Sequence, residues 1–164
     1  MPPSIPFEKL TKCSPLVRII GKVCWRAWQG YGSVLFFDFG EPSAYVSDRV
    51  TRFGRPAGVR GDSGFVIEHC DWYGLACGQP VADSEATRDE IRSALSFIRG
   101  QVLIDVSSTK SGQVLDFDLG GKITMRPYRD SIRWPAATTS MWRAYSGLFA
   151  INCMSNGTIR VSRR

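Results

Sequence analysis

A chain of 164 residues, 43% apolar and 22% charged, has the size and composition of one globular domain with a real core. No apolar run approaches the ~20 residues that cross a bilayer. Five cysteines at irregular spacing, none in a C-x-x-C, argue against a disulfide framework and against a zinc site, so neither metal nor cofactor is expected.

The net charge of +6 is uneven: +5 over residues 1–60, −6 over 61–120 and +7 over 121–164. If the two ends fold side by side, one face is basic and another acidic, and such a surface steers charged partners.

Residues 1–15 carry prolines where an export signal has a charged head and an apolar run. They read as a poorly ordered lead-in, with a cytoplasmic location expected and a single domain over 16–164. A turn ending at Gly21 is followed by a strand from Val23 to Trp28. Gly30-Tyr31-Gly32 is a turn, and Val34 to Phe39 is a strand apolar on both faces, expected to be covered on both sides. Gly40-Glu41-Pro42 is expected to break it, with Ser43 to Val46 returning as a hairpin, and residues 47–60 read as a loop or frayed edge. Phe65 to Cys70 and Trp72 to Cys77 read as strands.

The clearest helix spans about 84–99, with Asp83 or Ser84 at its start, a stripe of Ile91, Ala94, Leu95 and Ile98, and Gly100 just past its end. Strands follow at Val102–Val106, Gln113–Leu119, Lys122–Arg126, Trp142–Tyr145, Leu148–Cys153 and Thr158–Val161. The last two join at Asn156-Gly157, a strong hairpin signal. One phrase occurs twice, V-L-F-F-D-F-G at 34–40 and V-L-D-F-D-L-G at 114–120. The expected fold is α+β: an antiparallel-rich sheet from two similar strand-turn-strand units, with the main helix packed on it.

Few residues offer chemistry. In Glu68-His69-Cys70-Asp71, a strand would point His69 and Cys70 to opposite faces, and His69 is the sole histidine. Asp38, Asp116 and Asp118 precede strand-ending glycines, where a carboxylate takes turn N–H groups. Neither glycine cluster has the Lys-Ser/Thr of a phosphate loop. No catalytic residue is assigned. Trp25, Trp28 and Trp72-Tyr73, with Arg26, Arg49, Arg52, Arg55 and Arg60, make the case for a nucleic-acid platform.

Taken in order, Gly32-Ser33, Phe39-Gly40-Glu41-Pro42, Arg60-Gly61-Asp62, Cys70-Asp71-Trp72, Ser84-Glu85, Gly100-Gln101, Phe117-Asp118-Leu119-Gly120-Gly121, Pro127-Tyr128, Trp142 and Asn156-Gly157 form a pattern. It resembles a family of small uncharacterised bacterial proteins over about residues 20–161. The chain departs from that family at Ser63-Gly64, where the pattern has Trp-His. The resemblance implies no activity, and in size and style it is similar to immunity proteins that neutralise toxins. The expected function is therefore a non-enzymatic protein-binding role without a membrane, with Glu68, Asp71, Glu85, Asp89 and Glu90 as the partner face for a basic toxin. The alternatives are a nucleic-acid-binding module using Arg49, Arg52, Arg55 and Arg60, and an enzyme of unknown class.

Overall fold

The computed structural model describes residues 15–46, 52, 57–109, 114–120, 123–128, 139–156 and 158–163. Expectations that fall on residues 1–14 of the lead-in and on Arg49 and Arg55 lie outside them. The described residues form two antiparallel sheets and two helices, one short. In chain order these are α1 (Pro15–Ile19), β1 (Cys24–Gln29), β2 (Leu35–Val46), β3 (Ala57–Ile67), β4 (Asp71–Ala76), β5 (Gln79–Asp83) and α2 (Arg88–Ile98). Then come β6 (Leu103–Thr109), β7 (Val114–Leu119), β8 (Ile123–Tyr128), β9 (Ser140–Ser146), β10 (Phe149–Met154) and β11 (Ile159–Arg163). No described helix is long and apolar enough to cross a membrane.

The single sheet expected from the sequence divides in two. A six-stranded sheet runs β1-β2-β3-β9-β10-β11 and a five-stranded sheet runs β5-β4-β8-β7-β6. Each contains a three-strand meander, β1-β2-β3 or β6-β7-β8, and the repeated phrase lands on the middle strand of each. The tails cross over: β4 and β5 follow the first meander but pair with the second, through β4 and β8. Strands β9 to β11 follow the second meander but pair with the first, through β3 and β9.

The meanders meet at a bridge between Val23 and Val102. The backbone bonds around it are reciprocal. Gly21 N donates to Leu103 O as Gly100 N donates to Cys24 O, and Leu103 N donates to Lys22 O as Cys24 N donates to Gln101 O. Gly40 N donates to Val23 O as Gly120 N donates to Val102 O. Gly21 and Gly100 hold nearly the same left-handed conformation, φ +86 and +85.

Three other local expectations change. Gly40-Glu41-Pro42 is not a break but a bulge: β2 continues to Val46, and its pairing with β3 slips between Phe39 and Pro42 before resuming at Gly61. Turn residues and bulge residues are the same types, so the local signal is ambiguous. Residues 57–60, read as a loop or frayed edge strand, are strand, because they pair with Ser43–Val46. The strand expected through Cys70 ends at Ile67, and Glu68–Cys70 turn the chain from one sheet to the other.

Helix α2 starts at Thr87 rather than at Asp83 or Ser84. Thr87 and Glu90 form a reciprocal capping box, Glu90 N donating to Thr87 Oγ1 and Thr87 N to Glu90 Oε2. Asp83 instead ends β5 and accepts from Glu85 N, while Ser84 Oγ donates to Asp71. Of the expected stripe, Ile91, Leu95 and Ile98 are buried and Ala94 is half-buried. The three buried residues join Leu16 and Ile19 of α1 and the inner sheet faces, where Phe65 lies 5.6 Å from Trp142 and 6.3 Å from Phe37. Burying each such side chain contributes roughly 1.5–3 kcal/mol, which holds the two sheets together.

Candidate binding groove on the six-stranded sheet

Alternation along the strands sends Leu35, Phe37 and Phe39 of β2 into the core and leaves Phe36 and Asp38 on the other face. Register carries that second face across the sheet in two rows. One row is Arg26, Asp38, Gly64, Tyr145, Ala150 and Ser162. The other is Trp28, Phe36, Val66, Arg143, Asn152 and Arg160. The expected second cover over β2 is absent among the described residues. Most of these side chains line an open groove of about 390 Å³, together with Arg60.

Asp38 forms the floor and is 1% exposed. Arg26 Nε donates to its Oδ2 at 2.8 Å, with Nη2 2.7 Å from the same oxygen. On Oδ1, Tyr145 Oη donates at 3.2 Å and Gly61 N at 3.3 Å. The carboxylate therefore takes a cross-strand N–H from β3, not one from its own turn as the sequence suggested. Tyr145 reaches it only because Gly64 has no side chain; a Cβ there would overlap the tyrosine hydroxyl and the ring carbon that bears it. Arg26 lies between strands as well, its Nη2 donating to Val59 O at 2.7 Å.

The aromatic residues are engaged with each other. Trp28 stacks on Phe36 with centroids 4.8 Å apart and planes 10° apart, and the Arg26 guanidinium lies 4.2 Å from the Trp28 centroid. Trp28 is thus flanked by a ring and a cation, which leaves little open face for a base. Trp72 is buried and donates its indole N–H to Ser33 O at 2.8 Å, tying β4 to the β1–β2 turn. Tyr73 packs near Tyr128 and accepts from Arg126 on the five-stranded sheet.

The acidic residues singled out from sequence are spread out. Asp71 is buried and accepts from Ser84 Oγ at 3.2 Å. Glu68 pairs with Arg143 at 3.0 Å beside the groove. Glu85 and Asp89 are exposed, Asp89 3.2 Å from Arg92. Glu90 is occupied by the helix cap, and the Thr87 backbone and hydroxyl groups donating to it hold its carboxyl below the usual carboxylate range. Of the four arginines proposed for nucleic acid, Arg60 lines the groove and Arg52 is exposed on a turn.

Reactive groups stay apart. His69 is exposed while the neighbouring Cys70 is buried, its thiol donating to Met141 O. Burial, with help from Asp71, pushes the Cys70 thiol up. Burial likewise pushes Cys153 to about 12. Burial and then the Asp38 charge push Cys24 to about 12. These three thiols stay protonated, and the thiolate is the nucleophilic form. Asp118 sits on β7 opposite Thr124, on the other sheet from the Glu68–Arg143 pair. Among the described residues, no three His, Cys, Asp or Glu side chains group closely enough to hold a metal ion.

Sequence reading picked out Arg26, Trp28 and Asp38 but missed Gly64, Arg143, Tyr145 and Asn152. The available signal was the i, i+2 spacing of Arg143 and Tyr145 between the apolar Trp142 and Ala144. Comparison with protein-family models, curated proteins and solved structures finds no match to this chain.

Proposed function

We propose that this is a non-enzymatic binding protein whose partner is another protein, seated on the open face of the six-stranded sheet through an acidic loop or extended segment. The observation that carries this reading is the groove. It is lined by Arg26, Arg60 and Arg143, with Asp38 on its floor and Glu68 paired to Arg143 beside it, an excess of positive charge over a firm floor that Arg160 extends at the sheet edge. Side chains already locked by packing lose little freedom on binding. Six strands at about 4.8 Å spacing span about 24 Å, the length of about seven extended residues. Of the acidic set, Asp71 is buried and Glu68 and Glu90 are engaged, so the basic sheet supports a partner face better than Glu68, Asp71, Glu85, Asp89 and Glu90 do.

Within this reading we favour a cytoplasmic, toxin-neutralising role, which rests on size and style alone. We also read the chain as one plan of helix, meander and crossing tail used twice; the recurring phrase and the reciprocal bonds at Val23 and Val102 support that.

Co-expression with the proteins encoded beside it tests the reading. One neighbour should form a stoichiometric complex that Arg143→Glu or Arg160→Glu weakens about tenfold or more, while Asp89→Lys leaves it intact. Absence of any such complex counts against a protein partner. Tighter, salt-sensitive binding of single-stranded oligonucleotides would replace it with the nucleic-acid reading.

A further inference from the structure

Helix α2 and its C-cap residue Arg99 turn three guanidiniums toward the edge of β1. Arg88, Arg92, Leu95 and Arg99 recur at helical spacing and share one stripe. That stripe, with Ala27 and Trp28 of β1, borders a cavity of about 160 Å³. One water needs about 10–15 Å³, so a tetrahedral oxyanion fits with space to spare.

The placement of these charges is costly for the helix. Arg88 and Arg92 are like charges one turn apart, which destabilises a helix. Arg88 directly follows the Thr87 cap, where the helix dipole presents its positive end and disfavours a cation. The local compensation is slight. Arg92 has Asp89 at 3.2 Å, but that pair is 72% and 90% exposed. Arg88 donates to Gly30 O at 3.3 Å and Arg99 to Ala27 O at 3.4 Å, long bonds from groups with five donors each. The composition is equally pointed. Residues 61–120 hold ten acidic side chains and four basic ones, and three of those four line this cavity.

We infer that the cavity between α2 and the β1 edge is a binding site for a phosphate group, presented by inorganic phosphate or by a small phosphomonoester. Guanidinium forks match phosphate oxygens two at a time, and three of them neutralise a dianion that a single cation would not hold. A phosphate here also relieves the repulsion between Arg88 and Arg92. The site is independent of the sheet groove and of any protein partner, although Trp28 borders both.

The test is a titration of the full chain with inorganic phosphate and, separately, with phosphoserine, at ionic strength fixed by chloride. Phosphate should raise the melting temperature by about 3 °C or more for each tenfold increase above its Kd. Phosphoserine binding as well as inorganic phosphate identifies a site open to phosphomonoesters; binding of inorganic phosphate alone identifies a site for the free ion. Either result supports the site. Arg92→Ala and Arg99→Ala should each weaken binding about tenfold, and Arg160→Ala, at the far edge of the sheet, should not. Arg88→Ala supplies a second readout. It should melt no lower than the parent in chloride but lower than the parent in phosphate, a crossover that a purely structural arginine does not produce. A melting shift that chloride reproduces overturns the proposal. So does unchanged binding in Arg92→Ala and Arg99→Ala, or an equal loss in Arg160→Ala.

Discussion

Gly64 makes room for the side chain that closes the floor of the groove. Tyr145 crosses β3 over that glycine and hydrogen-bonds Asp38, 107 residues away in sequence. Gly64→Ala should therefore cost about 1–3 kcal/mol, because an added methyl in a packed site forces the ring to move. Tyr145→Phe, which removes only the hydroxyl, should cost about 1 kcal/mol. Urea denaturation of the two variants checks this; a glycine substitution no more harmful than the phenylalanine would show that the ring is free to move. The sequence marks Asp38 as unusual, an acid among phenylalanines, but not what satisfies it. Arg26 is near in the chain, whereas Gly61 and Tyr145 reach Asp38 only through register set by distant strands.

At the scale of elements, the joint between the meanders rests on two glycines. Gly21 and Gly100 both lie in the left-handed region, and neither has an atom within 4 Å of where a Cβ would sit. Substitution there meets backbone strain and no clash. Gly21→Ala and Gly100→Ala should each cost about 1–2 kcal/mol and by similar amounts, since their hydrogen bonds are equivalent. Unequal melting shifts would mean the two ends of the joint carry different loads. Gly100 was readable as a helix stop, because the Ile91, Leu95 and Ile98 stripe ends just before it. The last hairpin was readable too, as Cys153 pairs with Ile159 around the Asn-Gly signal. Pro42 was not: it pairs with Gly61 inside a long bulged strand, and its local context is that of a turn.

For the whole molecule, the exchange of tails decides how it folds. Strand β3 lacks its second neighbour until β9 arrives, and β8 lacks one until β4 does. Neither half builds its sheet alone. A chain ending at Asp83 should remain unfolded, and in the full chain tryptophan fluorescence and far-ultraviolet circular dichroism should lose signal over one shared transition. Separate transitions would mean the sheets melt independently. The charge blocks foreshadowed this arrangement. The basic ends meet in one sheet, with Arg26, Arg60, Arg143 and Arg160 on its strands, while the acidic middle supplies Asp71, Asp83, Asp105 and Asp118 to the other. Which strands would share a sheet was not legible, because the β3–β9 and β4–β8 contacts leave no local trace.

A half-length chain on this plan would have to borrow its missing strands from a second copy, and its folding would then depend on abundance. Carrying both meanders and their tails in one chain, across the short link at 84–87, makes that borrowing internal. The effective concentration of each complement is then set by tether length, so the protein remains assembled at any dilution.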